Sequence, residues 1–462
     1  MAAWPVLEDF LTEFDTRIGA ELNIDPLGLL VIWSSYGQKI FRNRISSISN
    51  DVRNYTLNLF NHAVTRALIE DDGVVPGKGL SGLYGIPGKD SLEFRQACLI
   101  YLENLFTYAM VDAQARPGVE TVGVLGISMA RKKDKNPRLV FSHGAGAHVL
   151  KRQNSLGVSG RYKTPLMALK FFDSRYDYAQ PEFQPQWQRA QTQLFQAAGP
   201  LAALRVLAQK HLAELVADPQ AAPSRAFAEI PAGLKDAYVD AFRSARAVGA
   251  YARDFWLALT ELNQGAAGAL YAVLQDEPQS NGRDPWAPDE VFGRAILRTQ
   301  AEAERTKLEH VRVLEPFLGE LALLLDVLLS ATSQTVDEAL GQWRRLGRDG
   351  STLPALAGPI EAHASLRAQA SGTAADRLKE LLALARGTDA RGQAEQLIAY
   401  HDKVMAARGQ SSWLRLLDGG RLKVDVGTRA LPEPEERPVG RWVHDYYVPQ
   451  FRHFLSGLRG QA

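Results

Sequence analysis

The longest helical pattern of the chain is Val291–Leu329, VFGRAILRTQAEAERTKLEHVRVLEPFLGELALLLDVLL. Its apolar residues recur at intervals of three and four, the spacing that places them on one face of an α-helix. The part after Pro316 is the most apolar, but it contains Glu320 and Asp326 and is too short to cross a bilayer. We therefore expect a helix buried in a globular protein, with a break or kink at Pro316 because proline lacks the backbone N–H.

The composition of the whole chain is also typical of a globular protein. It has 462 residues, of which 46% are hydrophobic and 23% charged, unlike disordered, collagenous or disulfide-rich chains. At roughly 150 residues per domain, this length predicts about three domains. Cys98 is the only cysteine, so the sequence offers neither a disulfide nor a cysteine cluster for a metal, and we expect the reducing cytoplasm. The N-terminus lacks a basic stretch followed by an apolar core, so we expect neither a signal peptide nor a membrane span.

Helical spacing dominates on both sides of the longest pattern. The predicted fold class is mainly α: a multi-helix protein with a small basic module that contains a β-hairpin. Helices are expected at Asp9–Leu22, Ile32–Ile69 and Ser91–Asp112, and again from Trp187 onward. Four consecutive segments follow: an N-terminal helical region with a Gly-rich loop at 1–117, the basic module at 118–176, a helical bundle at 187–410, and a C-terminal strand with an aromatic tail at 411–462. The C-terminal strand is expected after Asp418-Gly-Gly420, at Arg421–Val426.

The aromatic tail has two interpretations. Aromatic residues are the usual anchors of protein interfaces, so the tail could insert into a partner. It could also pack on the body of this chain, which we favour. The residues concerned are Trp442, Tyr446, Tyr447, Phe451, Phe454 and Leu455.

Two short patterns in the basic module predict the hairpin. Thr121–Met129 and Arg138–Ser142 are rich in apolar and β-branched residues, and the sequence between them, Lys132–Pro137, is basic and polar. Two such runs separated by a short polar stretch are typical of antiparallel strands joined by a turn. We therefore expect a hairpin with a basic tip.

Positive charge is concentrated in this module. The whole chain has a net charge of +1, but residues 128–170 contain ten basic residues and one acidic residue, Asp134, which leaves +9 here and −8 elsewhere. A basic patch on an otherwise acidic molecule is the pattern expected for contact with phosphate backbones, and a solvated basic loop is the alternative. The basic residues are Arg131, Lys132, Lys133, Lys135, Arg138, Lys151, Arg152, Arg161, Lys163 and Lys170.

Part of the module resembles a helix-turn-helix. The resemblance covers residues 150–169: LKRQNSLGVS at Leu150–Ser159, followed by LMAL at Leu166–Leu169. It implies DNA binding, with a second helix that enters the major groove and with Arg161, Tyr162 and Lys163 at its start. Pro165 departs from the family pattern, because it would fall inside a helix that began at Ser159. A helix capped by Thr164 with Pro165 at its first position would instead make the preceding loop an anion site.

A second candidate surface lies in the first third of the chain. Arginine, asparagine and tyrosine crowd one helical stretch there, although asparagine is uncommon inside helices because its side chain competes for backbone hydrogen bonds. These residues could form a polar groove, but a helix break at Ser46–Asn50, with Ser49 or Asn50 capping the next helix, is the interpretation we favour. The candidates are Arg42, Arg44, Arg53, Asn54 and Tyr55.

No known catalytic or cofactor motif appears in the sequence. The glycine-rich stretches at 73–79 and 85–90 do not match the P-loop pattern, and the histidines have no metal-ligand spacing. We therefore expect no cofactor and no metal, and we rank an enzyme with a dispersed site last.

The expected function is non-catalytic binding of nucleic acid, DNA before RNA, with partner proteins on the helical region. The alternative is a scaffold whose basic module binds an acidic protein. Abundant Ala, Arg and Leu indicate a bacterial, GC-rich origin. A subunit of an assembly that defends against phages is our hypothesis for the setting, and no motif supports it.

Overall fold

The computed structural model describes residues 25–80, 86–133, 136–218, 224–278, 284–386 and 389–460. These residues form 20 helices and two small sheets, so the predicted mainly α class with small β elements is confirmed. The helix expected at Asp9–Leu22 lies outside the described residues. Among the described helices, none is both long enough and apolar enough to cross a membrane.

In chain order the helices are α1 Leu29–Phe41, α2 Val52–Glu70, α3 Leu92–Asp112, α4 Ile127–Lys132, α5 Gln153–Leu156, α6 Val158–Arg161, α7 Lys163–Ala168, α8 Gln184–Gln193, α9 Pro200–Val216, α10 Ala232–Phe242, α11 Ala245–Thr260, α12 Gly265–Asp276, α13 Pro288–Arg298, α14 Glu302–Leu328, α15 Val336–Arg345, α16 Thr352–Ala362, α17 Ala364–Gln369, α18 Gly372–Ala385, α19 Ala390–Ala407 and α20 Val448–Leu458. The strands are β1 Arg138–Val140, β2 Ser224–Ala226, β3 Ser333–Thr335, β4 Leu414–Leu417 and β5 Arg421–Val424.

The described chain folds into two compact units, each built from distant parts of the sequence. Unit A combines residues 25–42 and 262–448, and unit B combines 43–261 and 449–460. The four consecutive segments expected from the sequence cut across these units, since residues 187–410 contribute to both.

Unit A is organised around α14. The break in the longest helical pattern falls at residues 299–301, between α13 and α14, and the helix continues through Pro316. Of the two expectations for Pro316, a break or a kink, the break was therefore wrong. The second half of α14 is buried on nearly every side, and this packing outweighs the one hydrogen bond that proline removes.

Two buried carboxylates of α14 hold the C-terminal segment of unit A. Glu320 forms an ion pair with Arg348 at 2.9 Å and accepts the N–H of Gly440 at 3.0 Å. Glu315 accepts the indole N–H of Trp33 at 2.7 Å and the N–H groups of Val443 and His444 at 2.8 Å. Burial raises the pKa of Glu315 to about 7, although these hydrogen bonds act in the opposite direction.

The aromatic tail packs on its own chain. Tyr446 is buried in unit A, and Phe451, Phe454 and Leu455 are buried in α20, which belongs to unit B except for its first residue. Self-packing is thus confirmed for these residues.

The sheets are small and antiparallel. In unit A the order is β3-β5-β4, and β4 and β5 form a hairpin around residues 418–420. The strand expected after Asp418-Gly-Gly420 is therefore confirmed. In unit B, β1 pairs with β2.

Helices α2 and α3 form the core of unit B. Most of their side chains are buried, including polar ones such as Asn58, His62 and Glu103. Trp256 of α11 donates its indole N–H to Thr56 at 2.8 Å, and the ring of Phe454 lies 5.6 Å from that of Tyr55. Contacts from α11 and α20 therefore cover part of α2.

The ion pair between Glu320 and Arg348 gives a stability prediction. Both side chains are at most 1% exposed. We expect Arg348→Met to lower the free energy of unfolding by about 3–5 kcal/mol, because it leaves the buried carboxylate without its ion-pair partner. The double variant Glu320→Leu/Arg348→Met should recover most of this loss, since it removes both charges.

Urea denaturation of the single and double variants measures both values. Equal losses in the two variants would contradict this account of the pair.

Candidate nucleic-acid interface

The basic hairpin is absent from its predicted position. Residues 121–126 form turns that lead into α4, and Gly123 and Gly126 have φ values of +81° and +79°, which extended strands do not adopt. The strand β1 pairs instead with β2, which lies far away in sequence, and the pairing joins Arg138 to Ala226 and Val140 to Ser224. The apolar pattern of Thr121–Met129 wrongly predicted a strand, because these residues form a glycine-containing turn and the start of a short helix.

The helix-turn-helix resemblance does not extend to the structure. Residues 153–168 form three short helices, α5, α6 and α7, of four, four and six residues. The third begins at Lys163 after Tyr162, so Thr164 is not its cap, and Pro165 lies inside its first turn. A recognition helix long enough to lie in a major groove is therefore missing from residues 150–169.

The three residues placed at the groove by that resemblance are mainly structural. Tyr162 is 1% exposed, and its hydroxyl accepts the N–H of Asp51 at 3.1 Å. Lys163 is 8% exposed, and its ammonium lies 4.8 Å from the centre of the Tyr176 ring. Arg161 is half-buried and donates to the carbonyl of Leu156 at 2.9 Å. These side chains hold the segment together and do not form an exposed contact surface.

The secondary surface is likewise part of the core. Arg53, Asn54 and Tyr55 are buried at the start of α2, while Arg42 and Arg44 are half-buried. The favoured alternative, a helix break, is what the structure contains, because α1 ends at Phe41 and α2 begins at Val52. The cap is Asp51, one residue after the predicted position, and its carboxylate accepts the N–H of Arg53 at 2.7 Å.

Five of the remaining candidates are exposed cations. Among the described residues, none of these five forms an ion pair with a carboxylate, whereas Lys170 pairs with Glu182 at 3.5 Å. Arg152 is half-buried, and Lys135 lies outside the described residues. The exposed set is Arg131, Lys132, Lys133, Arg138 and Lys151.

Packing brings most of this set onto neighbouring segments. Lys133, which follows α4, donates to the carbonyl of His148 at 3.2 Å. A Cβ placed on Gly126, just before α4, would lie 3.3 Å from the side chains of Val149 and Leu150. Helix α4 therefore packs against the segment that carries Lys151. We call Arg131, Lys132, Lys133 and Lys151 the basic surface.

Arg138 is placed differently. It lies on β1 and donates to the Ser224 hydroxyl at 2.9 Å, on the strand that pairs with it. It therefore lies on a different element from the basic surface, and we treat it as a separate exposed cation.

A group of buried polar residues on α3 supports the basic surface, and sequence analysis missed it. Asn104 donates to the carbonyl of Ala147 at 2.8 Å and accepts from Gln153 at 2.9 Å. The side-chain oxygen of Gln153 accepts the N–H of Val149 at 2.8 Å. Glu103 accepts the N–H of Val158 at 2.9 Å. The available signal was the presence of polar residues at 103, 104 and 107 within the mostly apolar stretch from residue 97 to residue 110.

The buried environment also changes the protonation of Glu103. Burial raises the pKa of this carboxyl to about 8, and the hydrogen bonds from Val158 and Gln153 offset part of the increase. At neutral pH the group is therefore mostly uncharged and adds little negative charge to this region.

The described part of the chain shows no metal centre. Among the described residues, no group of three or more His, Cys, Asp or Glu side chains is placed to hold an ion.

Comparison of the chain with protein-family models, curated proteins and solved structures found no match. Function must therefore be inferred from the residues and their geometry.

The raised pKa of Glu103 predicts how stability depends on pH. The folded protein retains a proton that the unfolded chain loses above the usual pKa of 4.5, so stability should fall as pH rises from about 4.5 to about 8. Glu103→Gln keeps an oxygen that can accept the Val158 N–H but does not titrate. We expect the variant to lose less stability than the wild type across this window.

Chemical denaturation at several pH values between 5 and 9 measures the difference. Parallel pH profiles for the two proteins would show that Glu103 is ionised in the folded state.

Proposed function

We propose that this protein binds the phosphate backbone of DNA through the basic surface, with Arg138 as an additional contact. The observation that carries this proposal is that the exposed cations have no carboxylate partner among the described residues. Cations elsewhere are often neutralised, as in the pairs Arg294–Glu290 and Arg298–Asp276. Unneutralised cations on adjoining segments are what counterion release from DNA requires.

Rigid support favours binding over a merely solvated loop. The segment that carries Lys151 is fixed by Asn104 and Gln153, and Arg131 is fixed by Gln114 and Thr121 at 2.9 and 2.8 Å. Cations held in place lose less conformational entropy when they meet phosphates.

The basic surface supports backbone contact without strong sequence specificity. Phosphate contacts position a protein on the duplex, whereas reading the sequence requires groups that reach base edges. The short helices of residues 153–168 are poor candidates for that role. We therefore propose a non-catalytic DNA-binding subunit, which in the wider hypothesis acts with partner proteins in a cytoplasmic bacterial assembly, such as one for phage defence.

Salt dependence tests the proposal directly. Fluorescence anisotropy with a labelled duplex should give an affinity that falls steeply with salt, with a slope of log K against log salt of roughly −0.9 for each phosphate contacted. The double variant Lys132→Ala/Lys133→Ala should weaken binding and reduce the magnitude of the slope by about two.

A matched control separates local contact from overall charge. Arg344→Ala/Arg345→Ala removes two adjacent exposed arginines from α15 in unit A, so it makes the same change in net charge. An equal loss in both double variants would indicate non-specific attraction and contradict the basic surface. Failure of the wild type to bind DNA at low salt, together with binding to polyglutamate, would support the scaffold alternative.

A further inference from the structure

A tightly held turn lies beside the basic surface. The carbonyl groups of residues 120 to 125 all accept hydrogen bonds. Arg53 donates to the carbonyls of Glu120 and Val122, and Asn54 donates to that of Gly123 at 3.1 Å. The carbonyls of residues 121 and 124 accept from the backbone of residues 124 and 127, and Thr107 donates to that of residue 125.

The turn is built around a glycine that no other residue could replace without strain. Val124 N–H donates to the Thr121 carbonyl at 3.2 Å, which closes a four-residue turn with Val122 and Gly123 at its centre. Gly123 has a φ of +81°, as the third residue of a type II turn requires. A Cβ at this position would also lie 2.8 Å from the carboxylate of Asp51.

The hydrogen bonds from Arg53 to this turn depend on a buried charge. Arg53 is 1% exposed, and burying a guanidinium is costly unless its N–H groups find acceptors. Its bonds to two carbonyls of one turn indicate that the position of this turn is closely specified.

The side chain presented at the tip of the turn is apolar. Val122 is 86% exposed, although the carbonyl groups of the turn that carries it are held by hydrogen bonds. The adjacent Thr121 hydroxyl accepts from the guanidinium of Arg131 at 2.8 Å. An apolar side chain therefore projects next to a cation of the basic surface.

We propose that Val122 contacts the minor groove of duplex DNA, as an apolar wedge at a base step, while the basic surface binds the neighbouring phosphates. This inference rests on the proposed function and specifies the form of nucleic acid. Proteins that bind the minor groove frequently place an aliphatic side chain against a base step and bend the duplex.

Duplex DNA is favoured over a single strand by the lack of stacking groups. Proteins that bind single strands stack the bases on exposed aromatic rings. The only Phe, Tyr or Trp between residues 118 and 152 is Phe141, which is fully buried. An aliphatic tip with adjacent cations fits a groove better than it fits unpaired bases.

DNA bending tests the wedge separately from backbone binding. A duplex of about 25 base pairs with a donor and an acceptor dye at its ends should show a higher transfer efficiency when the wild type binds. Val122→Ala should reduce this change and weaken affinity by about fivefold, because one apolar side chain is truncated, with the salt slope unchanged. Val122→Phe should bend the duplex at least as much as the wild type does.

Leu297→Ala in unit A is the matched control, since Leu297 is 87% exposed and its neighbours Arg294 and Arg298 are paired with carboxylates. It should leave affinity and bending unchanged. If the wild type and Val122→Ala both bind in a salt-dependent way and bend the duplex equally, the wedge is overturned. The proposal of backbone binding would then still stand. Tighter binding to the single strand would overturn the duplex assignment, and no binding to DNA would overturn both proposals.

Discussion

The hydrogen bonds from the buried Arg53 guanidinium to the backbone of residues 120 and 122 determine how unit B presents its surface. A charged group inside a protein must find acceptors, and here the acceptors belong to a turn that has no regular secondary structure of its own. The turn carries Val122 at its tip and continues into α4 with its cations. One residue of α2 thus connects the core of the unit to the proposed DNA contact.

The same principle operates on α3. Asn104 and Glu103 are buried, and they bind the backbone of residues 147 and 158 respectively. These bonds fix a segment with little helix or sheet of its own, including the region around Lys151. Because burial raises the pKa of Glu103 to about 8, this carboxyl is mostly protonated near neutral pH and binds the Val158 N–H while adding little negative charge.

Unit A uses buried carboxylates in a comparable way. Glu315 and Glu320 of α14 bind backbone N–H groups of the chain near residues 440–444, so a segment without regular structure is fixed against the longest helix. Both units therefore combine an apolar helical core with a few polar side chains that secure irregular segments. In unit B, these segments adjoin the basic surface.

The sequence alone determined the helical class, several long helices, the strand after Asp418-Gly-Gly420 and the concentration of positive charge, because all of these depend on local spacing or composition. It did not determine that Thr121–Met129 forms a turn and the start of a helix. The pairing of β1 with β2 and the hydrogen bonds from Arg53 to the turn join residues that are far apart in the chain. Nor could it separate the exposed Lys132 from the buried Lys163, which differ only in what packs around them. Only the tertiary structure decides which charges reach solvent, since burial is set by long-range contacts that no local pattern records.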